Sequence, residues 1–234
     1  MDGFVNVQLL PGAYTVTEQT PNKYEPQQSR TITIVSGQTT TVRFNNVLKR
    51  GNVKVTKTAE DGLVSGIKFR LYGTSDSGAS VDEYATTNNS GVATFNDILI
   101  GSYTLEEVDT ATKYVTPAKQ GVTVKWNEVT NASFHNELKR GDVKVIKSAE
   151  DNFIEGHRFH MYGTSISGEK IDLYAVTNKK GIAEFNDVLI GTGYTLEEVE
   201  TAEQYIVPDS QNVTIEWDKV TEKNFENELK RGNV

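Results

Sequence analysis

Three kinds of polar residue recur where a strand's apolar face should be: a lysine, a glutamate and an asparagine. Lys57 shares alternation parity with Val53 and Val55, and Lys147 with Val143 and Val145. Glu107 follows Tyr103 and Leu105, and Glu198 follows Tyr194 and Leu196. Asn136 lies between Phe134 and Leu138, and Asn227 between Phe225 and Leu229. Successive strand residues point to opposite faces, so parity sends all six inward. A buried lysine and a buried glutamate are each costly unless paired, and one reading is an ion pair whose hydrogen bonds the asparagine completes. The other reading is covalent. Burial lowers the pKa of an amine and raises that of a carboxylic acid, so the two can coexist as neutral groups. A neutral amine can attack the asparagine side-chain carbonyl while the acid polarises that carbonyl and relays protons, and ammonia leaves. The product is an amide crosslink, Lys57 to Asn136 and Lys147 to Asn227, with Glu107 and Glu198 as catalytic acids.

The elements that carry these residues are repeated. GNVKVTKTAEDG from Gly51 returns as GDVKVIKSAEDN from Gly141, FNDILIGSYTLEEV from Phe95 as FNDVLIGTGYTLEEV from Phe185, and FHNELKRG from Phe134 as FENELKRG from Phe225. Residues 51–140 match 141–231 at more than half of their positions, with one residue inserted near Gly193. Such self-similarity marks two complete modules of about 90 residues. Residues 1–50 carry only the second half of the unit, so the chain is expected to start inside a module, and 232–234 to open a further one. This partial copy has Glu18 after Tyr14 and Val16, and Asn46 between Phe44 and Leu48, but no lysine strand. Its site is incomplete: no internal bond is expected there, and strands at 14–19, 30–35 and 39–46 should be poorly protected or lean on a neighbour.

Period-two alternation dominates each copy, and no stretch holds a 3.6-residue period. Turn formers such as Asp61-Gly62, Gly73 to Gly78 and Asn88 to Gly91 punctuate seven or eight short strands, roughly one turn signal every 8–12 residues, as in a β-sandwich or small barrel. The expected fold is all-β in tandem modules, and the family resemblance given below implies Greek-key β-sandwiches of the transthyretin-like or reversed-immunoglobulin type. The junction Leu138-Lys139-Arg140-Gly141-Asp142-Val143 has no Gly/Ser or Pro-rich spacer, which predicts modules arranged as a rod.

Composition removes several chemistries. With no cysteine there are no disulfides and no thiolate or cysteine-ligated metal sites, so a small module must draw robustness from elsewhere. The net charge of −8 argues against nucleic acid or an anionic membrane as partner. No apolar run is long enough to span a membrane, and Met1-Asp2-Gly3-Phe4 does not open a signal peptide. No phosphate loop, nucleophile elbow or paired-acid arrangement occurs, so no cofactor and no multiple-turnover enzyme is expected. His135, His157 and His160 suggest a metal only superficially: His157 and His160 differ in parity, and the first copy has Ile67 and Arg70 in their places. Trp126 and Trp217 occupy equivalent positions and read as module packing rather than sugar binding. The acidic turns Glu60-Asp61 and Glu150-Asp151 read as solvated rather than as calcium sites. Lys139-Arg140 and Lys230-Arg231 suit salt bridges at the junctions.

The segments VKVTKTAEDG, IKFRLYG, GVATFNDILIGSYTLEEV and FHNELKRG resemble the Cna B-type (SpaA-like) repeats of Gram-positive surface adhesins and pilins, a transthyretin-like or reversed-immunoglobulin group. The resemblance covers both complete copies and, more loosely, residues 1–50. It implies a reactive lysine on the first strand (Lys57, Lys147), a catalytic acid in a Y-T-x-x-E strand (Glu107, Glu198) and a reactive asparagine closing the last strand (Asn136, Asn227). It departs from the family at Ala59 and Ala149, where an aspartate is common, and at Ile100-Gly101, where Pro-Gly is common. The implied protein is a monomeric stalk segment of an extracellular, cell-wall-attached protein, contacting its neighbouring modules. The alternative is an adhesive module that binds a host protein or glycan through the loops Gly73 to Gly78 and Gly163 to Gly168.

Overall fold

Alternation in the sequence becomes strand across both complete copies: the computed structural model describes residues 3–232 and holds sixteen strands and no helix among them. The closing residues 233–234, read from sequence as the start of a further module, lie outside the described residues. Residues 1–50 contribute β1 (Gly12–Val16) and β2 (Arg30–Ile34). The first complete copy supplies β3 (Arg50–Ala59), β4 (Lys68–Ser75), β5 (Ser80–Thr86), β6 (Val92–Leu99), β7 (Gly101–Val108), β8 (Gln120–Val124) and β9 (Val129–Asn136). The second repeats them as β10 (Arg140–Ala149), β11 (Arg158–Thr164), β12 (Lys170–Val176), β13 (Ile182–Leu189), β14 (Gly191–Val199), β15 (Gln211–Ile215) and β16 (Val220–Asn227).

Each complete copy has a three-stranded and a four-stranded sheet, in the orders β6-β3-β9 and β5-β4-β7-β8, then β13-β10-β16 and β12-β11-β14-β15. This is the tandem transthyretin-like Greek-key arrangement that the family resemblance implies, a sandwich rather than the small barrel that turn spacing left open. The first and last strands of the second copy, β10 and β16, run parallel and adjacent, with Lys147 opposite Phe225 and Ala149 opposite Asn227. Val143, Val145, Phe159, Met161, Leu196 and Phe225 from the two sheets form its core, and Phe159 and Phe225 meet edge-on at 5.0 Å. By contact density the chain divides into two compact units. One holds the chain up to Lys57 with Val64–Val108 and Ala118–Phe134; the other holds Thr58–Leu63, Asp109–Pro117 and the chain from His135.

Parity is borne out strand by strand: in β10, Gly141, Val143, Val145 and Lys147 are buried, in β14 Tyr194, Leu196 and Glu198, in β16 Phe225 and Asn227. A glycine fixes the backbone at each lysine. Gly181 has φ 73° and its carbonyl accepts the Lys147 N–H at 2.8 Å; a Cβ there would stand 2.6 Å from the Lys147 carbonyl. Gly91 has φ 71° and does the same for Lys57. Only glycine combines this left-handed conformation with so close an approach.

The N-terminal partial copy departs from its expected pattern. β1 and β2 pair from Gly12↔Ile34 to Val16↔Arg30, but residues 39–46, expected as a strand, form none. The equivalent strand β16 takes its ladder from β10, and the partial copy has no counterpart of β10. Tyr14, Val16, Ile32 and Ile34 are consequently only half-buried, whereas Tyr103 and Leu105 of the first complete copy are buried.

Candidate functional site

β10, β14 and β16 bring lysine, glutamate and asparagine of the second copy together inside the sandwich. Lys147 Nζ stands 3.4 Å from Glu198 Oε2, with the two side chains 0% and 1% exposed. Asn227 is fully buried, and its Nδ2 donates to Glu198 Oε1 at 2.9 Å. One carboxyl group thus spans an amine and a carboxamide. Lys147 Nζ also donates to the Ser148 carbonyl at 2.8 Å. Burial foremost pulls the lysine below the usual amine range, with Glu198 opposing. The amide oxygen of Asn227 has no donor among the described residues. A bare buried acceptor costs about 1–3 kcal/mol, which a purely structural asparagine would be selected to avoid. The carboxyl faces the amide nitrogen rather than its carbonyl.

In the first copy Lys57 and Glu107 form the same buried pair, at 3.9 Å between Nζ and Oε2 with side chains 0% and 1% exposed. Asn136 is buried completely. In the partial copy Asn46 Nδ2 donates to Glu18 Oε1 at 2.8 Å, but Asn46 is exposed and, among the described residues, no strand carrying a lysine joins β1 and β2.

The acidic turns are exposed, as the sequence suggests, and their side chains also hold hydrogen bonds that the sequence did not show. Glu150 accepts the Leu229 N–H at 3.0 Å and pairs with Arg231, while its own N–H donates to the Asn227 carbonyl at 3.0 Å. Glu60 likewise accepts the Leu138 N–H at 2.9 Å and pairs with Arg140, and its N–H donates to the Asn136 carbonyl. Asp151 accepts the Tyr205 hydroxyl at 2.7 Å; Asp61 accepts that of Tyr114 at 2.7 Å and Lys113 Nζ at 2.6 Å. These contacts clamp the turn after each lysine strand onto the chain just beyond each asparagine. The Arg140 hydrogen bond holds Glu60 below the usual carboxylate range, the Leu229 N–H does so for Glu150 and the Tyr205 hydroxyl for Asp151. A lone sequence window shows only charges in a turn; the signal that could have found the clamp is the buried tyrosine repeated at Tyr114 and Tyr205, each 1% exposed.

His157 is the other residue that sequence reading missed. Its Nδ1 lies 2.9 Å from Glu198 Oε1 and its Nε2 2.8 Å from the Phe153 carbonyl. Parity could have found it, since His157 shares its face with Phe159 and Met161. His160, on the opposite face, stacks on Tyr174 at 4.4 Å and meets Asp172 at 2.8 Å, much as Arg70 lies over Tyr72 at 4.4 Å and pairs with Asp82 at 2.8 Å. His135 Nδ1 meets the Thr58 hydroxyl at 2.9 Å.

Trp126 and Trp217 are 36% and 51% exposed, with Lys49 and Lys139 over their rings at 5.1 and 4.8 Å. Each therefore packs on a junction lysine rather than into a core. Arg140 also reaches Asp187 at 3.5 Å, an ion pair beside the junction as its position suggested. In the YGTS loops Ser75 Oγ accepts the Ala79 N–H at 3.1 Å and Ser165 Oγ the Glu169 N–H at 3.0 Å, so the shared residues hold the turns themselves.

Comparison with known proteins agrees with this architecture. The Bacillus anthracis TIE protein superposes with a TM-score of 0.68 at 21% identity, over 94% of this chain and 42% of that one, so the chain spans less than half of its length. The minor pilin GBS52 of Streptococcus agalactiae aligns at 17% identity over 79% of this chain and 98% of that one, with a TM-score of 0.37. No curated protein matches. The SpaA family, described as a prealbumin-like fold domain, matches residues 51–138 and 141–229. Two sandwiches in tandem, each with a lysine, a glutamate and an asparagine buried on the same three strands, belong to that family: this chain is a member of the SpaA prealbumin-like domains.

Proposed function

We propose that the chain is a structural stalk segment of an extracellular, cell-wall-attached protein, and that each complete copy staples itself by an amide bond, Lys57 to Asn136 and Lys147 to Asn227. The observation that carries this reading is the single buried carboxyl of Glu198 held between the Lys147 amine and the Asn227 amide, at 3.4 and 2.9 Å. Burial favours the neutral amine of Lys147. Its lone pair attacks Cγ of Asn227, forming Nζ–Cγ. A proton passes from Nζ to Glu198 Oε2, and Oε1 gives one to Nδ2 as Cγ–Nδ2 breaks and ammonia departs. The acid returns to its starting state, so it acts once on its own chain. Glu107 takes the same part in the first copy by equivalence of position. The clamps from Glu150 to Leu229 and Arg231 supply the orientation that such a step requires.

The parallel pairing of β10 with β16 gives the bond its mechanical sense. Tension entering at Arg140 and leaving beyond Asn227 passes through the Lys147–Asn227 amide, and the residues between them bear no load. Closing a loop of roughly 80 residues contributes about 4 kcal/mol by the chain-entropy estimate made for disulfides, and the larger gain is resistance to unfolding under force. Intact mass after denaturation tests the reading: each amide removes one ammonia, about 17 Da. A chain at its full sequence mass would leave ordinary buried ion pairs.

A further inference from the structure

Beside Glu198 of the second copy lies a histidine. His157 is 7% exposed and touches the glutamate at Nδ1 and the Phe153 carbonyl at Nε2, at 2.9 and 2.8 Å. A carbonyl only accepts, so Nε2 carries a hydrogen and donates it. Nδ1 then faces Glu198 Oε1 across a hydrogen-bond distance. Two bare lone pairs would repel there, so one proton lies between them, on the carboxyl or on the ring. The same Oε1 accepts from the Asn227 Nδ2 that must leave as ammonia. At the equivalent place the first copy has Ile67, a partly buried apolar chain packed on the core.

We propose that His157 is a positioning residue for amide formation in the second copy: it holds a shared proton against the Glu198 oxygen that faces the leaving nitrogen. This rests on the amide reading above. The productive state holds a neutral Lys147 and one proton shared by Glu198 and His157. That proton goes to Nδ2 as ammonia forms, and the one released from Nζ replaces it. The other ionisable groups around His157 are Lys147 of β10, which reaches it through Glu198, the Tyr205 ring at 6.1 Å, and Asp151, which holds the Tyr205 hydroxyl.

The test uses the full chain recovered unfolded, where no site exists to react, and diluted from denaturant into one neutral buffer. A Lys57→Ala chain reads the second copy alone and a Lys147→Ala chain the first, each by its loss of about 17 Da with time. His157→Ile should slow the second copy's loss of ammonia by at least about tenfold, and His157→Asn, whose amide can still hydrogen-bond to Glu198, should recover most of that rate. Ile67→His, read in the Lys147→Ala chain, should speed the first copy. Should His157→Ile fail to fold, the Ile67→His gain still decides. A His157→Ile chain at the parent rate, or a His157→Asn chain as slow as His157→Ile, would overturn the proposal and leave the histidine a packing residue. If neither single-site chain loses ammonia, the amide reading itself fails and the proposal falls with it.

Discussion

The partial copy at the N-terminus and the second complete copy make the same hydrogen bond in different settings. Asn46 to Glu18 spans 2.8 Å and Asn227 to Glu198 spans 2.9 Å. The first is an exposed contact beside two strands; the second is sealed in a seven-stranded sandwich beside a lysine. Carboxyl–carboxamide recognition therefore needs only the Y-T-x-x-E strand and the segment carrying asparagine. What the first strand adds is the lysine, the parallel ladder that orders β16, and the exclusion of water that lowers the lysine's proton affinity. The proposed chemistry depends on all three at once.

Removing the nucleophile should break this contrast most completely. Lys147→Ala takes away the proposed crosslink, worth about 4 kcal/mol by loop entropy, and leaves the buried Glu198 carboxyl without a hydrogen-bond partner at Oε2, a defect of about 1–3 kcal/mol. Thermal unfolding should show a second copy that melts well below the first. Glu18→Ala, at the exposed pair, should change stability by less than about 0.5 kcal/mol.

A narrower change separates acid from packing. Glu198→Gln keeps size and hydrogen bonding but cannot relay a proton, so the folded chain should retain about 17 Da more mass than the parent. Glu18→Gln should leave the mass loss untouched. A Glu198→Gln chain that still crosslinks at the parent rate would remove the carboxyl from the account.

Backbone placement of the lysine comes next in size. Gly181→Ala forces a left-handed residue against the Lys147 carbonyl and should cost more than about 1 kcal/mol, with slower ammonia loss in the second copy. Gly168→Ala, at φ 90° with open space around it, should strain only its own turn. Equal effects of the two on crosslinking would show that lysine placement does not depend on Gly181.

Acid should produce the smallest effect. Glu60, Glu150 and Asp151 have folded pKa values below their unfolded ones, so the stability they contribute is present above the ordinary carboxylate range and is lost as pH falls through their folded values. Amide exchange at Leu138 and Leu229, whose N–H groups these glutamates accept, should rise on acidification before the core exchanges.

Much of this was legible in the sequence because parity is a strict geometric rule. Val143, Val145 and Lys147 had to share a face once β10 was a strand, and the internal repeat supplied the comparison that distinguished inward from drifting positions. The short strands followed from turn spacing, and the sandwich from the family resemblance. The clamp formed by Glu150, Arg231 and the Leu229 N–H was not legible, because its partners lie about 80 residues apart and only parallel pairing of β10 with β16 brings them together. His157 was legible by the same parity that found Lys147, but it precedes its strand and replaces an isoleucine, so comparison between copies marked it as variable. The missing strand at 39–46 follows from tertiary context: its residues alternate like those of β16, but the ladder they need is on a strand the partial copy does not have.

The most direct test of the central claim is the intact mass of the denatured full chain. Two self-formed amides predict a deficit of about 34 Da against the sequence mass, falling to about 17 Da in either Lys57→Ala or Lys147→Ala and vanishing when both are changed. A denatured parent chain at its full sequence mass would contradict the account and leave two sandwiches held by buried ion pairs alone.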